Sequence, residues 1–199
     1  MPAPLNMFRA ILGVILGACL LAACSAAPAR NPDTHYDLEV SLPAIDFGTS
    51  ATVEIRRVDI RGLQSGRSLV IMTGDNPARF REERGHFWHV ATPTLVERAF
   101  TTSINDAQDE LYFGNSDAVR GADYRMLLTV TRFAFAPGGE AMVNFDATVK
   151  SAKGDVVLAR SYWGRAPLEA ETPAAGVTAI GEALSEAILV FAGELKAAL

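Results

Sequence analysis

Cysteine is nearly absent from this chain of 199 residues, which contains only Cys19 and Cys24. Cys19 lies inside an apolar run near the N-terminus that we expect to be removed from the mature protein. A single thiol would then remain, and one thiol cannot form an intramolecular disulfide. The sequence therefore predicts no structural disulfide, no zinc–thiolate site and no cysteine nucleophile.

Residues that usually carry catalysis are also scarce. The chain has three histidines, and the pair His86 and His89 has no cysteine or acidic cluster to complete a metal site, so we expect a solvated or packing role for it. No serine lies in a Gly-x-Ser-x-Gly context, and no Gly-Lys-Ser or Gly-Lys-Thr phosphate loop occurs. We expect no enzymatic activity, no catalytic residue, no metal and no dissociable cofactor.

Positive charge is too scarce for a nucleic-acid-binding protein. The formal net charge is −5, and it becomes −6 when residues 1–23 are lost, because Arg9 is the one charged residue among them. Binding to nucleic acid requires basic stripes that release counterions, so nucleic acid is excluded as a partner. A protein surface or a neutral lipid fits the mildly acidic chain better.

The apolar run from Ala10 to Ala23 follows the basic residue Arg9 and ends in small residues, which is the pattern of a secretory signal. It is too short to span a bilayer, which requires roughly 20 residues. The stretch Leu21-Ala22-Ala23-Cys24 has the pattern of a bacterial lipoprotein lipobox, with cleavage between Ala23 and Cys24 and a diacylglyceryl (palmitate-type) lipid on the sulfur. The alternative is an ordinary signal peptide that is cut near Ala26 or Ala27.

These features predict three segments: a lipoprotein signal peptide over residues 1–23, a flexible tether over 24–34 and one domain over 35–199. A coil of about 10 residues spans roughly 17 Å, so the tether holds the domain close to its membrane. Two or three acyl chains anchor a protein stably, whereas one does so only marginally. Ser25 stands where an aspartate would favour inner-membrane retention, so we expect the periplasmic face of the outer membrane.

The pattern of apolar residues predicts an α+β fold. We expect strands over residues 36–42, 51–60, 69–72 and 78–82, with a bulge near Arg56 and Arg57, in an antiparallel set that includes a turn at Gly74–Pro77. Thr92 and Pro93 predict the cap and first position of a helix that continues to Ile104. Residues 108–122 contain glycine and asparagine without periodicity, which predicts a loop.

The C-terminal half is more regular. Residues 124–136, 141–150 and 156–163 alternate and predict a three-stranded meander, in which Phe133 and Phe135 face away from Met126, Leu128 and Val130. Thr172 and Pro173 predict the start of a long amphipathic helix. We therefore expect a single domain with a mainly antiparallel or mixed sheet covered by two amphipathic helices.

Two tryptophans are candidate contacts for a protein partner. Trp88 precedes the first helix and is interpreted either as a hydrophobic staple or as a partner-binding aromatic. Trp163 ends the last strand and either covers one face of the sheet or forms an exposed contact. The sequence alone leaves both alternatives open.

The order of these features resembles that of the ABC-type transport auxiliary lipoproteins. The shared features are the lipobox and tether, Tyr36-Asp37-Leu38, the strand from Val53 to Ile60, the segment Trp88–Ile104, the meander and the long C-terminal helix. This chain departs from the family at Arg61–Ser65 and in the helix entry Trp88–Leu95. The resemblance covers nearly the whole mature chain, but it depends on order and spacing rather than on a catalytic signature.

The resemblance implies a non-enzymatic lipoprotein that helps a mammalian-cell-entry (MCE) type ABC transporter to move phospholipid or other lipids across the cell envelope. Its partners would be the membrane, through the lipid on Cys24, and an MCE-domain protein of the transporter. The alternative function is a periplasmic lipoprotein regulator that activates a cell-wall synthase. Such regulators usually have long tethers, however, and this tether has about 10 residues. An envelope hydrolase is disfavoured because the sequence shows no catalytic site.

Overall fold

The computed structural model describes residues 32–73 and 79–199. The predicted signal peptide, the lipobox, tether residues 24–31 and the predicted turn at Gly74–Pro77 lie outside the described residues. Asp33–Leu199 form one unit. The first strand begins at Thr34, which is the last residue of the predicted tether.

The described residues contain eight strands, one 3₁₀ turn and two α-helices. In chain order these are β1 Thr34–Tyr36, β2 Ala51–Ile60, the 3₁₀ turn Gly62–Ser65, β3 Ser68–Met72, β4 Phe80–Trp88, α1 Thr92–Ala107, β5 Leu111–Asn115, β6 Tyr124–Phe135, β7 Glu140–Ser151, β8 Val156–Pro167 and α2 Pro173–Ala198. The strands form one mixed sheet, so the predicted single-domain α+β fold is confirmed.

Strand β6 is the centre of the sheet. On one side it pairs antiparallel with β7, which pairs antiparallel with β8, and this is the predicted meander. On the other side β6 pairs in parallel first with β2 and then, near its end, with β3. Strand β5 extends the sheet beyond β2, and β4 and β1 extend it beyond β3. The prediction of an antiparallel first half was therefore wrong for β2, whose neighbours are both parallel, and for β1, which pairs in parallel with β4.

The break between β2 and β3 is bridged by a side chain. The Phe133 N–H of β6 lies opposite this break and donates a hydrogen bond to Gln64 Oε1 in the 3₁₀ turn at 2.5 Å. A buried N–H without an acceptor would be costly, so the Gln64 amide continues the ladder where no strand is available.

Both helices cover the same face of the sheet, which we call the core face. Phe100 of α1 packs against Phe145 of β7 and Phe191 of α2, with ring centroids 5.5 Å apart in both pairs. An extended segment, residues 37–47, contributes Leu38 and Phe47 to the same core. Burial of these aromatic and aliphatic side chains is the main stabilising contribution to the fold.

Residues 108–122 are not the continuous loop that we expected, because Leu111–Asn115 form β5. The segment is too short to show a clear alternation, and its glycine and asparagine suggested a turn. Pairing with β2 buries Leu111 and Phe113 against the core, and this tertiary contact determines the local structure.

A bulge in β6 overturns the predicted assignment of its faces. The pairing with β7 shifts between Val130 and Arg132, and the bulge predicted in β2 occurs between Ile55 and Arg57. One extra residue reverses the alternation, so Phe133 and Phe135 join Met126, Leu128 and Val130 on the core face. Arg132 and Ala134 then face the other side.

The two helix starts differ. Thr172 caps α2 as predicted, since its hydroxyl accepts a hydrogen bond from the Ala175 N–H at 3.2 Å. Thr92 does not cap α1, because the N-cap is Ala91 and the Thr92 hydroxyl instead donates to the Gly66 carbonyl at 2.7 Å. Thr92 therefore ties the helix start to the turn before β3.

Helix α2 is long and apolar enough to meet a length and hydropathy test for membrane spans, with a mean hydropathy of 1.5. Half of the residues in that window are buried inside the domain. The helix packs along β8 and β7, so its apolar composition reflects its position over the sheet.

Candidate interaction surface

The side of the sheet opposite the helices, which we call the open face, carries the candidate contact residues. An apolar strip crosses it from β8 to β4. We define this open-face strip as Trp163, Met142, Ala134, Met72 and Phe80. Ala134 and Met72 are buried in it, and Met142 and Phe80 are partly exposed. Trp163 is exposed at one end of the strip, and exposed apolar residues commonly mark binding sites, so the strip is a candidate partner surface.

Trp163 is the most exposed member of the strip, with 64% of its surface accessible. Its direct neighbour on β7 is Asn144, Met142 of β7 lies diagonally next to it, and Arg165 is the next residue of β8 on the same face. Arg165 forms an ion pair with Glu140 at 3.2 Å, so the strip has a charged border near the end of β8. An exposed aromatic next to charged groups is typical of an interface contact.

Trp88 lies elsewhere and cannot serve as a surface contact. It is 2% exposed and packs against Phe133, with ring centroids 5.6 Å apart. The interpretation of Trp88 as a partner-binding residue was therefore wrong, because the side chain is part of the core. Its position at the end of β4, next to Tyr36 of β1, turns it inward.

The β5 edge of the sheet is closed by side-chain amides from the end of α1. Asn105 accepts from the Phe113 N–H at 2.9 Å and donates to the Phe113 carbonyl at 2.8 Å. Gln108 does the same for Leu111, accepting at 2.6 Å from its N–H and donating to its carbonyl. The outward backbone groups of Leu111 and Phe113 are thus satisfied, so a further strand finds few free groups along β5.

The β8 edge is open along its middle. The Arg165 N–H points away from β7 and donates to Glu186 Oε2 of α2 at 2.7 Å. Because backbone groups alternate along a strand, Ala159, Ser161 and Trp163 also point outward. Within the described residues no group accepts from these three N–H groups. Pro167 has no N–H to offer at the end of the strand.

A groove of about 640 Å³ lies between α2 and the extended segment after β1. Three acidic residues line it, Asp37, Glu39 and Glu182, together with four hydroxyl-bearing residues, Tyr36, Ser41, Thr178 and Ser185. The segment crosses α2 at Gly181, where an added β-carbon would lie 2.3 Å from the Glu39 carbonyl oxygen. The groove therefore follows from this close crossing, and its acidic lining contains no arrangement of nucleophile and base.

The two neighbouring histidines have separate partners. His86 Nδ1 lies 2.9 Å from the Tyr36 hydroxyl, whereas His89 lies between Asp37, at 3.4 Å, and Arg98, at 3.2 Å. Arg98 also donates to both oxygens of Asp37, so this cluster attaches the segment after β1 to α1. In the part of the chain that the structure describes, no group of three His, Cys, Asp or Glu side chains could hold a metal ion.

Among the residues that the structure describes, three groups have shifted pKa values, each with a structural cause. Burial raises the pKa of Tyr36. Burial, and then a hydrogen bond to Glu194, raises the pKa of the Tyr162 hydroxyl. Hydrogen bonds from the backbone and side chain of Thr52 lower the pKa of Asp123. The hydrogen bonds of Tyr162 and Asp123 attach β8 to α2 and the start of β6 to β2, and none of the three groups lies in a cleft with a nucleophile.

A family model described as the ABC-type transport auxiliary lipoprotein component matches residues 36–188. The chain belongs to this family. The match confirms the resemblance noted in the sequence. As a member of the ABC-type transport auxiliary lipoprotein family, the protein is a transport-associated component of the cell envelope, and the family is not known as an enzyme family. The comparison with curated proteins gave no match.

Two solved structures share the fold of this auxiliary lipoprotein. A protein from Xanthomonas campestris, described as a DUF330 protein, is 16% identical, with a TM-score of 0.67, 80% of this chain covered and 93% of that chain. A second, described as an uncharacterized protein, is 12% identical, with a TM-score of 0.70 and coverages of 82% and 99%. At these identities the similarity shows the fold alone.

The structure thus brings together residues that the sequence did not connect. Sequence analysis missed the open-face strip because its members come from five strands and the bulge in β6 determines which side Ala134 faces. It also missed Asn105 and Gln108, although two amide residues in the last turn of an amphipathic helix, directly before a short apolar segment, are a usable signal. Of the two predicted contacts, Trp163 is on the surface and Trp88 is not.

Proposed function

We propose that this protein is a lipid-anchored auxiliary component of an MCE-type ABC transport system, held at the periplasmic face of the outer membrane. It assists the movement of phospholipid or other lipids between membranes without catalysing a reaction. The single observation that carries the proposal is the family match over residues 36–188, which begins 12 residues after the lipobox cysteine, Cys24.

The anchor part of the proposal depends on Cys24. Cleavage before this residue would leave its sulfur bonded to a diacylglyceryl group, and two or three acyl chains hold a protein stably on a membrane. The segment between Cys24 and β1 is short, so the domain remains near the headgroups.

The partner part depends on the open face. The helices cover the other side of the sheet, and Trp163 exposes an aromatic ring next to Met142. Large aromatic side chains dominate binding energy at protein interfaces when a partner excludes water around them. We propose that an MCE-domain protein of the transporter contacts Trp163.

The anchor is tested with Cys24→Ala, produced in a bacterium with a lipoprotein-processing pathway. We expect the variant to remain uncleaved or unlipidated, measured by mass spectrometry of the N-terminal peptide and by membrane fractionation. Cys19→Ala is the matched control, because it removes the other cysteine and should leave the acylated N-terminus unchanged. Acylated, membrane-bound Cys24→Ala protein would contradict the anchor.

The partner is tested by mild-detergent pull-down of the processed protein from its native envelope, with proteins identified by mass spectrometry. We expect an MCE-domain protein in the wild-type sample and at least a tenfold loss with Trp163→Ala, since a central aromatic contact contributes about 2 kcal/mol or more. Tyr112→Ala is the control, because Tyr112 is also an exposed aromatic, on β5 at the far side of the same face.

Equal loss with Tyr112→Ala and Trp163→Ala would contradict a specific contact at Trp163. Recovery of a peptidoglycan synthase without any MCE-domain protein would favour the cell-wall regulator and overturn the transport proposal.

A further inference from the structure

Arg132 of β6 differs from the other arginines that the structure describes. Each of the others is exposed, whereas Arg132 is only partly exposed. Its Nη1 lies 3.4 Å from Met142 Sδ, so the side chain lies along the open-face strip. A charged side chain that is partly removed from water is normally paired, because an unpaired charge loses hydration without compensation. The position of Arg132 therefore raises the question of which group neutralises it.

No carboxylate of the described residues forms an ion pair with Arg132. The meander contains three further arginines, Arg125, Arg160 and Arg165, and each of them forms an ion pair with a glutamate of the domain. Arg132 is thus the arginine of the meander that a carboxylate from outside can bind without breaking an existing ion pair.

The carboxylates that share the open face with Arg132 have other partners. Glu140 of β7 forms an ion pair at 3.2 Å with the arginine opposite the end of its strand. Asp146 of β7 accepts a hydrogen bond from the Ser161 hydroxyl at 2.5 Å. Asp59 of β2 lies 3.5 Å from each of two other guanidinium groups. The domain itself therefore leaves the Arg132 guanidinium without an anion.

Arg132 is one end of a row of three side chains across the open face, which we call the docking row. Asn144 of β7 lies directly opposite Arg132, and Trp163 of β8 lies directly opposite Asn144. Neighbouring strands are about 4.8 Å apart, so the two ends of the row are roughly 10 Å apart. Outside the strand ladder, Asn144 takes part only through its backbone carbonyl in the described residues, which leaves its side-chain amide to a partner.

We propose that the docking row binds an acidic segment of a partner protein, with a carboxylate on Arg132 and an apolar side chain against Trp163. A guanidinium and a carboxylate match in shape, because two parallel N–H···O bonds form at once. Asn144 lies between the two contacts and has N–H groups to donate to the same carboxylate. Tryptophan and arginine are enriched among the residues that contribute most to binding at interfaces.

This inference rests on the proposed function, since that function supplies the protein that contacts the open face. It adds the chemistry of the contact, which is a negative charge next to an apolar group.

The position of the docking row in the sheet favours a protein over a membrane surface. The tether enters the domain at β1, and β8 is five strand spacings away from β1 in the sheet order, or about 24 Å. Attraction to an anionic membrane also requires several basic residues, because each contributes only about 1 kcal/mol. The docking row contains one. A single arginine beside an exposed tryptophan is instead suited to one side chain of a protein.

The experiment uses the processed lipoprotein in its native envelope with Arg132→Lys, which keeps the charge and introduces a primary amine. A water-soluble carbodiimide joins an amine directly to a carboxylate, so a bond forms only between groups that are in contact. We expect mass spectrometry to find residue 132 joined to an aspartate or glutamate of an MCE-domain protein.

Arg125→Lys is the matched control for this cross-link. Arg125 lies on the same strand and the same face, but it pairs with Glu54 at 3.6 Å and lies outside the docking row. We expect at least tenfold less cross-linking to another protein from residue 125 than from residue 132.

A second measurement does not depend on a covalent bond. Arg132→Gln removes the charge, and we expect at least a tenfold loss of the MCE-domain protein in the envelope pull-down at low salt, because a desolvated charge pair is broken. Recovery by the wild type should fall as salt is added, whereas the residual recovery by Arg132→Gln should not. Arg125→Gln should behave like the wild type, and unchanged circular dichroism should show that both variants are folded.

The outcomes separate the docking row from the proposed function. Recovery of the MCE-domain protein by Arg132→Gln at the wild-type level would overturn the docking row and leave the proposed function intact. Equal cross-linking from residues 125 and 132, a cross-link to a second copy of this chain, or a loss of bound anionic phospholipid instead of protein would do the same. A cross-link from residue 132 to an acidic side chain of a peptidoglycan synthase would support the docking row and overturn the transport proposal. Absence of both the partner and the cross-link would overturn both.

Discussion

Gly164 of β8 lies directly under the backbone of Ala183 in α2. A β-carbon added to Gly164 would stand 1.8 Å from the Ala183 carbonyl oxygen and 3.1 Å from the Ala187 nitrogen. The helix backbone cannot yield as a flexible side chain can. The absence of a side chain at residue 164 therefore sets the distance between α2 and the sheet.

We predict that Gly164→Ala destabilises the domain by about 3 kcal/mol, because α2 must move away from the sheet and its packing with β8 and β7 is lost. Urea denaturation followed by circular dichroism measures the change.

Gly193→Ala, in the helix α2 that packs on Gly164, is the matched control for Gly164→Ala. No atom lies within 4 Å of a β-carbon added at Gly193, and alanine favours helix by about 0.5–1 kcal/mol over glycine. We expect this variant to be slightly more stable than the wild type. Equal stability of the two glycine variants would show that α2 does not lie on Gly164 as described.

Closure of the β5 edge can be tested with Asn105→Ala. The Phe113 N–H and carbonyl lose both hydrogen bonds, so we predict a loss of stability of roughly 1–3 kcal/mol. The freed edge should also promote self-association, seen as a concentration-dependent increase in mass by light scattering.

Asp106→Ala is the control for Asn105→Ala, because Asp106 is the adjacent, exposed residue of α1. We expect its stability to stay within about 0.5 kcal/mol of the wild type and its mass not to depend on concentration. If Asn105→Ala behaves in the same way, the amide does not close the edge.

Local patterns in the sequence were sufficient to predict the three-stranded meander and the first residue of α2. Each strand of the meander is long enough to show its alternation, and Thr172 and Pro173 have the same roles in the structure as in the prediction. These elements depend on contacts between residues that are close in sequence or joined by tight turns, and such contacts leave a local signal.

The remaining elements depend on distant contacts. The segment Leu111–Asn115 becomes a strand because β2 lies beside it, about 60 residues earlier in the chain. The bulge at Val130 and Arg132 appears only in the pairing with β7, and it decides whether Phe133 is buried or exposed. For the same reason the sequence could not place the open-face strip, although it did offer Trp163 as a contact.

The hydrogen bonds of Asp123 predict how the stability of the domain depends on pH in acid. Its carboxylate accepts from the Thr52 N–H and hydroxyl, both at 2.9 Å, and these hydrogen bonds lower its pKa below the ordinary value of 3.8. Folding therefore favours the charged form. The stability that the charged Asp123 carboxylate adds to the folded state is fully present above pH 3.8. It is lost as the pH falls through the lower, folded-state pKa.

We predict that Asp123→Asn reduces stability at pH 7 and flattens the decrease in stability below pH 4, because the variant has no proton to bind at this position. Urea denaturation at pH values from 7 to 2.5 measures both effects. Asp117→Asn, an exposed carboxylate in the turn after β5, serves as the control. An unchanged acid profile in Asp123→Asn would contradict the contact with Thr52.

Substitution of each tryptophan should separate an effect on the stability of the domain from an effect on partner binding. Trp88 is enclosed by the core and contacts Phe133, so Trp88→Ala should cost about 3–5 kcal/mol in the free energy of unfolding. Trp163 is mostly exposed on β8, so Trp163→Ala should stay within about 0.5 kcal/mol of the wild type. Denaturation of both variants, together with the envelope pull-down, distinguishes the roles. If Trp163→Ala unfolds the domain as Trp88→Ala does, its effect on partner recovery reports stability, and the open-face contact loses its support.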